Sequence, residues 1–195
     1  MQLAAHQRKL LDLIRSGRVP DRSDDPYIQR VAASDDLKEA QRNIFLWRVY
    51  VLERTAPLTF TVLKQRELLR SAIGEFIGTC NVSPFRETQA PAFLDLMSRH
   101  DDSLVASVAQ FELAFLRVRQ GDAGHFVVRW NFEPTTILNE LARGLPVSID
   151  APRGDYQVVI SRELPYQFKV ISPPSAHVAA SPLENPTRCA VASLG

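Results

Sequence analysis

The sequence predicts an α+β fold with three parts. These are a helical domain over residues 1–122, a small, mostly antiparallel sheet with one helix over residues 123–172, and a disordered tail over residues 173–195. Two observations predict this division. Apolar residues recur at helical spacing as far as Gly121, whereas beyond Gly124 they cluster or alternate as in strands. Because 45% of the 195 residues are hydrophobic, the chain can build a core.

The first two helices are predicted from apolar spacing and from the residues at their ends. Apolar residues at helical spacing predict the first helix, and Gly17 and Pro20 end it. The residues at this spacing are Leu3, Leu10, Leu11 and Ile14. A short second helix is expected to begin at Pro26, because proline is well tolerated at the first helical position and Asp24 and Asp25 can cap it.

The segment after Ser34 is expected to form one long helix. Ser34 is a suitable N-cap, and the acidic residues that follow suit the positive end of the helix dipole. The side chains expected to face inward are Leu37, Ile44, Phe45, Trp47, Val51 and Leu52. Pro57 ends this helix. The segment LTFTVL beyond it can be helical or extended, because β-branched and aromatic residues leave both states open.

Three more helices complete the helical domain. The segment QRELLRSAIGEFIG is expected to stop near Gly78, APAFLDLM forms a short helix that begins near Pro91, and a long helix runs from DDSLVAS to Gly121. The first of these has an apolar stripe that consists of Leu68, Leu69, Ala72, Ile73, Phe76 and Ile77. The last has a buried face that consists of Leu104, Val108, Phe111, Phe115 and Val118.

The remainder of the chain favours strands. HFVVRW, YQVVIS and YQFKVI are the strand candidates, and TTILNELARG is a helix closed by Gly144. In the last strand apolar residues alternate with Gln167 and Lys169, so that one face is apolar and the other polar. Residues 173–195 contain small residues and prolines without a period, which predicts disorder.

Composition and spacing indicate no catalytic residue and no metal-ligating set in this chain. The 23 basic and 22 acidic residues leave a net charge of +1, which gives no excess of positive charge for nucleic acid. The four histidines are dispersed, Cys80 and Cys189 form no disulfide framework, and no glycine-rich loop joins a strand to a helix. The pair Asp101 and Asp102 after His100 is expected to start a helix. We expect a cytoplasmic protein that does not contact a membrane.

The sheet is the feature that suggests a function. An exposed sheet edge accepts a peptide as an added strand, with main-chain groups supplying affinity and side-chain pockets supplying selectivity. Alternatively, the tail or the helix TTILNELARG covers this edge, and both interpretations remain open. The candidate peptide-binding residues lie in the last two strands and are Tyr156, Val158, Ile160, Tyr166, Phe168 and Val170.

Five segments, in chain order, resemble a known protein family. They are LAAHQRKLLDLI, FLWRVYVLERTAPLTFTVL, LLRSAIGEFIG, APAFLDLMSRHDDSLVASVAQFELAFLRVRQGD and YQVVISRELPYQFKV. Over about residues 2–171 they resemble the accessory proteins of multinuclear non-heme iron oxidative (MNIO) enzymes. The helical domain of that family carries a label that refers to DNA binding.

The resemblance implies a non-catalytic subunit that forms a heterodimer with the MNIO enzyme. Such a subunit presents a ribosomally made precursor peptide for modification in natural-product (RiPP) biosynthesis. The enzyme holds the iron, and the accessory chain holds no cofactor. Two other hypotheses stay open. One is a DNA-binding transcriptional regulator, and the other is a stand-alone enzyme whose site is assembled from dispersed residues.

Overall fold

The computed structural model describes residues 2–16, 25–80, 86–148 and 151–172. Within them, seven helices precede a three-stranded sheet, and an eighth helix joins its first two strands, which confirms the predicted α+β class. The helices are α1 (Gln2–Ser16), α2 (Pro26–Ala32), α3 (Asp35–Thr55), α4 (Pro57–Gln65), α5 (Leu69–Thr79), α6 (Arg86–Met97), α7 (Ser103–Arg119) and α8 (Pro134–Ala142). The strands are β1 (Phe126–Phe132), β2 (Arg153–Ile160) and β3 (Phe168–Ile171). The predicted tail over 173–195 lies outside the described residues.

Three predicted helix starts are confirmed by side-chain caps. The Asp25 carboxylate accepts a hydrogen bond from the Tyr27 backbone N–H at 2.7 Å, and the Ser34 hydroxyl accepts one from the backbone N–H of Leu37 at 3.2 Å. Asp102 caps α7 in the same way. Each such cap is worth about 1 kcal/mol, because it satisfies a backbone donor that the helix leaves free.

The sequence leaves one helix undecided, and another helix begins earlier than predicted. The undecided segment LTFTVL is helical as α4, because Phe60, Val62 and Leu63 are buried on one helix and this packing outweighs their strand propensity. The prediction that the helix of the segment APAFLDLM begins near Pro91 is wrong, because that helix, α6, begins at Arg86 and includes Pro91. The proline costs one backbone hydrogen bond, and burial of Phe93 and other apolar side chains of α6 offsets that cost.

One side chain of α3 faces the other way from expectation. Trp47, expected inside, is 44% exposed and lies on the solvent side of α3 with Leu46 and Tyr50. On α1 the buried residue is Leu13, whereas Leu11 is exposed. Both helices have more apolar residues at helical spacing than the core covers. Periodicity therefore predicts the helix but does not show which of these residues is buried.

The sheet has the order β1-β2-β3 and is antiparallel throughout, as predicted. Its inner face packs on α7 and contributes Val128, Trp130, Val158 and Ile160 to the main hydrophobic core. Helices and sheet share this core, so the boundary near residue 122 marks a change of secondary structure within one packed body.

None of the helices in the described ranges has both the length and the apolar character required to cross a lipid bilayer.

Candidate functional site

The central strand β2 contains three of the six candidate residues. Val158 and Ile160 are 0% exposed and pack in the core, so neither side chain is available to a bound peptide. The backbone of β2 is also occupied, because it pairs with β1 on one side and with β3 on the other. Tyr156 is half-buried and lies opposite Trp130 of β1. The structure therefore assigns Val158 and Ile160 to stability instead of peptide contact.

The other three candidate residues lie on or just before β3. Phe168 and Val170 are half-buried on the inner face of the strand. Tyr166 precedes the strand and is 81% exposed. Between them, Gln167 has a φ of +63°, in the left-handed region that a side chain rarely adopts. This turn brings an exposed aromatic ring to the start of the edge strand.

The register shows which backbone groups of β3 face outward. The Ser161 backbone N–H donates to the Gln167 carbonyl oxygen at 2.9 Å, which marks these opposite residues as a hydrogen-bonded pair. Such pairs alternate along an antiparallel ladder, so Lys169 turns its backbone groups toward β2. Phe168 and Val170 then turn theirs toward the outer edge. Among the described residues, no strand pairs with this edge.

The opposite edge of the sheet differs. By the same alternation, Arg129 of β1 points its carbonyl oxygen away from β2. The Ser107 hydroxyl of α7 donates to that oxygen at 3.2 Å.

Helix α8 packs against α4. Among the described residues that helix makes no extensive contact with β3, so the alternative in which it covers the last strand is not observed. The alternative in which the tail covers the strand falls on residues 173–195, outside the described part of the chain.

A groove of about 410 Å³ lies beside the inner face of β3. We call it the α7 groove, because α7 forms its floor and the ends of α3, α4 and α8 form its walls. Its main apolar lining residues are Leu58, Phe111, Phe115, Leu116, Leu138 and Phe168. The rings of Phe111 and Phe168 meet edge to face, with centroids 5.4 Å apart. Two exposed arginines, Arg54 and Arg119, also line the groove.

Glu112 is the acidic residue of the α7 groove, and it is buried. One carboxylate oxygen accepts a hydrogen bond from the backbone N–H of Leu58 and the other from that of Thr59, both at 2.8 Å. These donors belong to the first turn of α4, whose N-cap residue Ala56 has no side-chain cap to offer. Burial raises the pKa of Glu112, and the hydrogen bonds from Thr59 and Leu58 oppose that rise.

This carboxylate is therefore a structural anchor between α7 and α4. This role of Glu112 was not predicted from the sequence. The available signal was a single acidic residue inside the apolar run VAQFELAFL of a helix predicted to be buried.

Metal binding has no support in the parts of the chain that the structure describes, since no group of three or more His, Cys, Asp or Glu side chains there could hold an ion. His100 accepts a hydrogen bond from the Asp102 backbone N–H and belongs to the start of α7, as expected. No protein-family model matches this chain, and no curated protein matches it in sequence.

Proposed function

We propose that this chain is a non-catalytic accessory subunit that binds an iron-dependent oxidative enzyme and presents a ribosomally made precursor peptide to it. Two lines of reasoning support the proposal. The sequence resembles accessory proteins of MNIO enzymes, and β3 has an outer edge without a strand partner among the described residues. The open edge at Phe168 and Val170 is the observation that carries the proposal, because such an edge accepts an extended peptide.

A peptide added to β3 would bond to the outward N–H and C=O groups of Phe168 and Val170. Each hydrogen bond contributes only about 0.5–1.5 kcal/mol net, so the backbone alone gives modest affinity. The exposed ring of Tyr166 adds an aromatic contact at the start of the strand. This arrangement suits a subunit that holds a peptide and then releases it to an enzyme.

The proposal also requires a surface for the enzyme, and we assign it to the outer face of α3. Leu46, Trp47 and Tyr50 are exposed there, and the rings of Trp47 and Tyr50 stack with centroids 5.7 Å apart. Adjacent exposed aromatic residues of this kind are typical of protein interfaces. The expected complex is a heterodimer in which the partner enzyme holds the iron.

The direct test is co-purification of this chain with a multinuclear iron oxidative enzyme from the same source, followed by titration with the fluorescein-labelled precursor peptide of that enzyme. We expect a one-to-one complex and peptide binding by the isolated accessory chain. The substitution Trp47→Ala is expected to weaken enzyme capture and to leave peptide binding unchanged. Absence of a complex together with absence of peptide binding at tens of micromolar would contradict the proposal.

Two control measurements separate this function from its rivals. Stoichiometric iron in the purified single chain, or turnover without a partner, would favour the stand-alone enzyme. DNA binding that weakens steeply as salt rises would favour the transcriptional regulator, because phosphate contacts release counterions. The net charge of +1 gives no support to that second rival.

A further inference from the structure

The α7 groove has a chemical character that the β3 edge alone does not explain. Its volume of about 410 Å³ lies in the range of ligand-binding pockets, and its lining is mostly apolar and aromatic. Phe168 belongs both to the groove and to β3. The groove therefore continues from the inner side of the strand whose outer edge is open.

The charges around the groove are unbalanced. Arg54 and Arg119 both line it, and neither forms an ion pair with a carboxylate in the described ranges. The acidic residue of the lining, Glu112, has both oxygens engaged by backbone N–H groups of α4. Two guanidinium groups thus lie beside an apolar groove, and neither is paired with the carboxyl group that the groove contains.

Arg54 is held in place by an aromatic ring. Its guanidinium carbon lies 3.9 Å from the centroid of the Tyr50 ring, and one of its N–H groups donates to the Tyr50 carbonyl oxygen at 3.3 Å. A guanidinium stacked on a ring keeps other N–H groups at its edge available for a carboxylate. Its position is therefore restricted while its capacity to bind an anion is retained.

We propose that the α7 groove binds an acidic–apolar segment of the peptide, with apolar side chains between α7 and α8 and a carboxylate on Arg54 and Arg119. The inference rests on the proposed function, because it names the class of peptide that the subunit recognises. Charge complementarity selects this occupant: an apolar groove flanked by two arginines without carboxylate partners favours a ligand that carries both apolar groups and negative charge.

The test uses the full chain, labelled with ¹⁵N and ¹³C-methyl groups, and two synthetic peptides. One is acetyl-Gly-Leu-Phe-Glu-Glu-Gly-amide, and the other has lysine in place of both glutamates. We expect the acidic peptide to shift the methyl signals of Leu58, Leu116 and Leu138, and the lysine peptide to bind roughly tenfold more weakly or not at all. Equal binding of the two peptides, or no shift at these leucines, overturns the inference.

Matched variants test whether Arg54 and Arg119 supply the charge that binds the acidic peptide. The double substitution Arg54→Gln with Arg119→Gln is expected to lower the affinity for the acidic peptide roughly tenfold. Arg70→Gln changes an exposed arginine of α5 outside the groove and is expected to have no effect. The unfolding midpoint of the double variant should equal that of the wild type, which shows that the variant is folded. Unchanged affinity of this folded variant for the acidic peptide overturns the inference.

The labelled precursor peptide distinguishes the two proposals from each other. If it binds the wild-type chain and the double variant equally, the proposed function stands and the groove inference fails. If it does not bind at all while the acidic hexapeptide fills the groove, the preference of the groove for acidic–apolar peptides stands and the proposed function fails.

Discussion

Strands β1 and β2 differ from β3 in how much of their backbone and side chains remains available for contact. In β1 and β2 the side chains of Val128, Val158 and Ile160 are buried against the helices, and the β1 edge receives a hydrogen bond from Ser107 of α7. In β3 one side is paired and the other has no strand partner among the described residues. Similar strand patterns therefore have different roles. Position in the sheet decides which strand is covered on both sides and which keeps an unpaired edge, where we propose that a peptide binds.

The largest effect is expected from a substitution in the central strand, β2. Ile160→Ala removes a fully buried side chain from the core and should lower the free energy of unfolding by about 2–5 kcal/mol. Denaturant unfolding measures this loss. Peptide affinity of the folded protein should stay unchanged, measured at a temperature where the variant is fully folded. A loss of stability below about 1 kcal/mol would contradict the assignment of this residue to the core.

The next effect concerns two glutamates that each cap a helix with two backbone hydrogen bonds. Glu112 is buried at α4, and burial raises its pKa despite those bonds. Glu133 is less buried at α8; burial opposes a shift there, but the hydrogen bonds from Thr136 and Thr135 prevail and lower its pKa. The two groups should therefore give pH dependences of opposite sign.

The signs follow from which state holds the proton more tightly. For Glu112, the contribution of its raised pKa to the free energy of unfolding is present below the usual pKa of 4.5 and is lost as pH rises through the raised pKa. The Glu112→Gln variant should therefore be less stable than the wild type by an amount that shrinks as pH rises. For Glu133 the contribution is present above 4.5 and is lost as pH falls, so the deficit of Glu133→Gln should grow as pH rises. Unfolding titrations across this range measure both slopes. Slopes of the same sign would contradict the contrast between the buried cap Glu112 and the half-buried cap Glu133.

A substitution at the start of β3 is expected to have the smallest effect on stability and a clear effect on peptide binding. Tyr166→Ala removes an exposed ring and should change the free energy of unfolding by no more than about 0.5 kcal/mol. Affinity for the precursor peptide should fall about five- to thirtyfold, as for an aromatic contact at an interface. Exposed Tyr27 of α2 provides the control, because Tyr27→Ala should leave affinity unchanged. Equal effects of the two substitutions would contradict the place of Tyr166 in the site.

The helix caps were predictable because their chemistry is local. Asp25, Ser34 and Asp102 each bond to a backbone group within three residues, so a short sequence window contains the whole interaction. Helix α4 could not be decided in this way. Its first turn is capped by Glu112, more than 50 residues away, and no local window contains that partner.

The candidate site was predictable only in part, for the same reason. Alternation in the sequence showed that Phe168 and Val170 share a face with each other, as Val158 and Ile160 do. It did not show that β2 is central and β3 is at the edge, because strand order depends on pairing between distant segments. The α7 groove combines residues from four helices and one strand, and its shape appears only when they pack.

Amide hydrogen exchange of the ¹⁵N-labelled chain, with and without saturating precursor peptide, tests the central claim most directly. The outward amides of Phe168 and Val170 should exchange rapidly in the free chain and become protected when a strand is added to β3. The amides of Lys169 and Ile171, which the register directs toward β2, should change little. Saturation by the peptide with no change in exchange at Phe168 and Val170 would contradict binding at this edge.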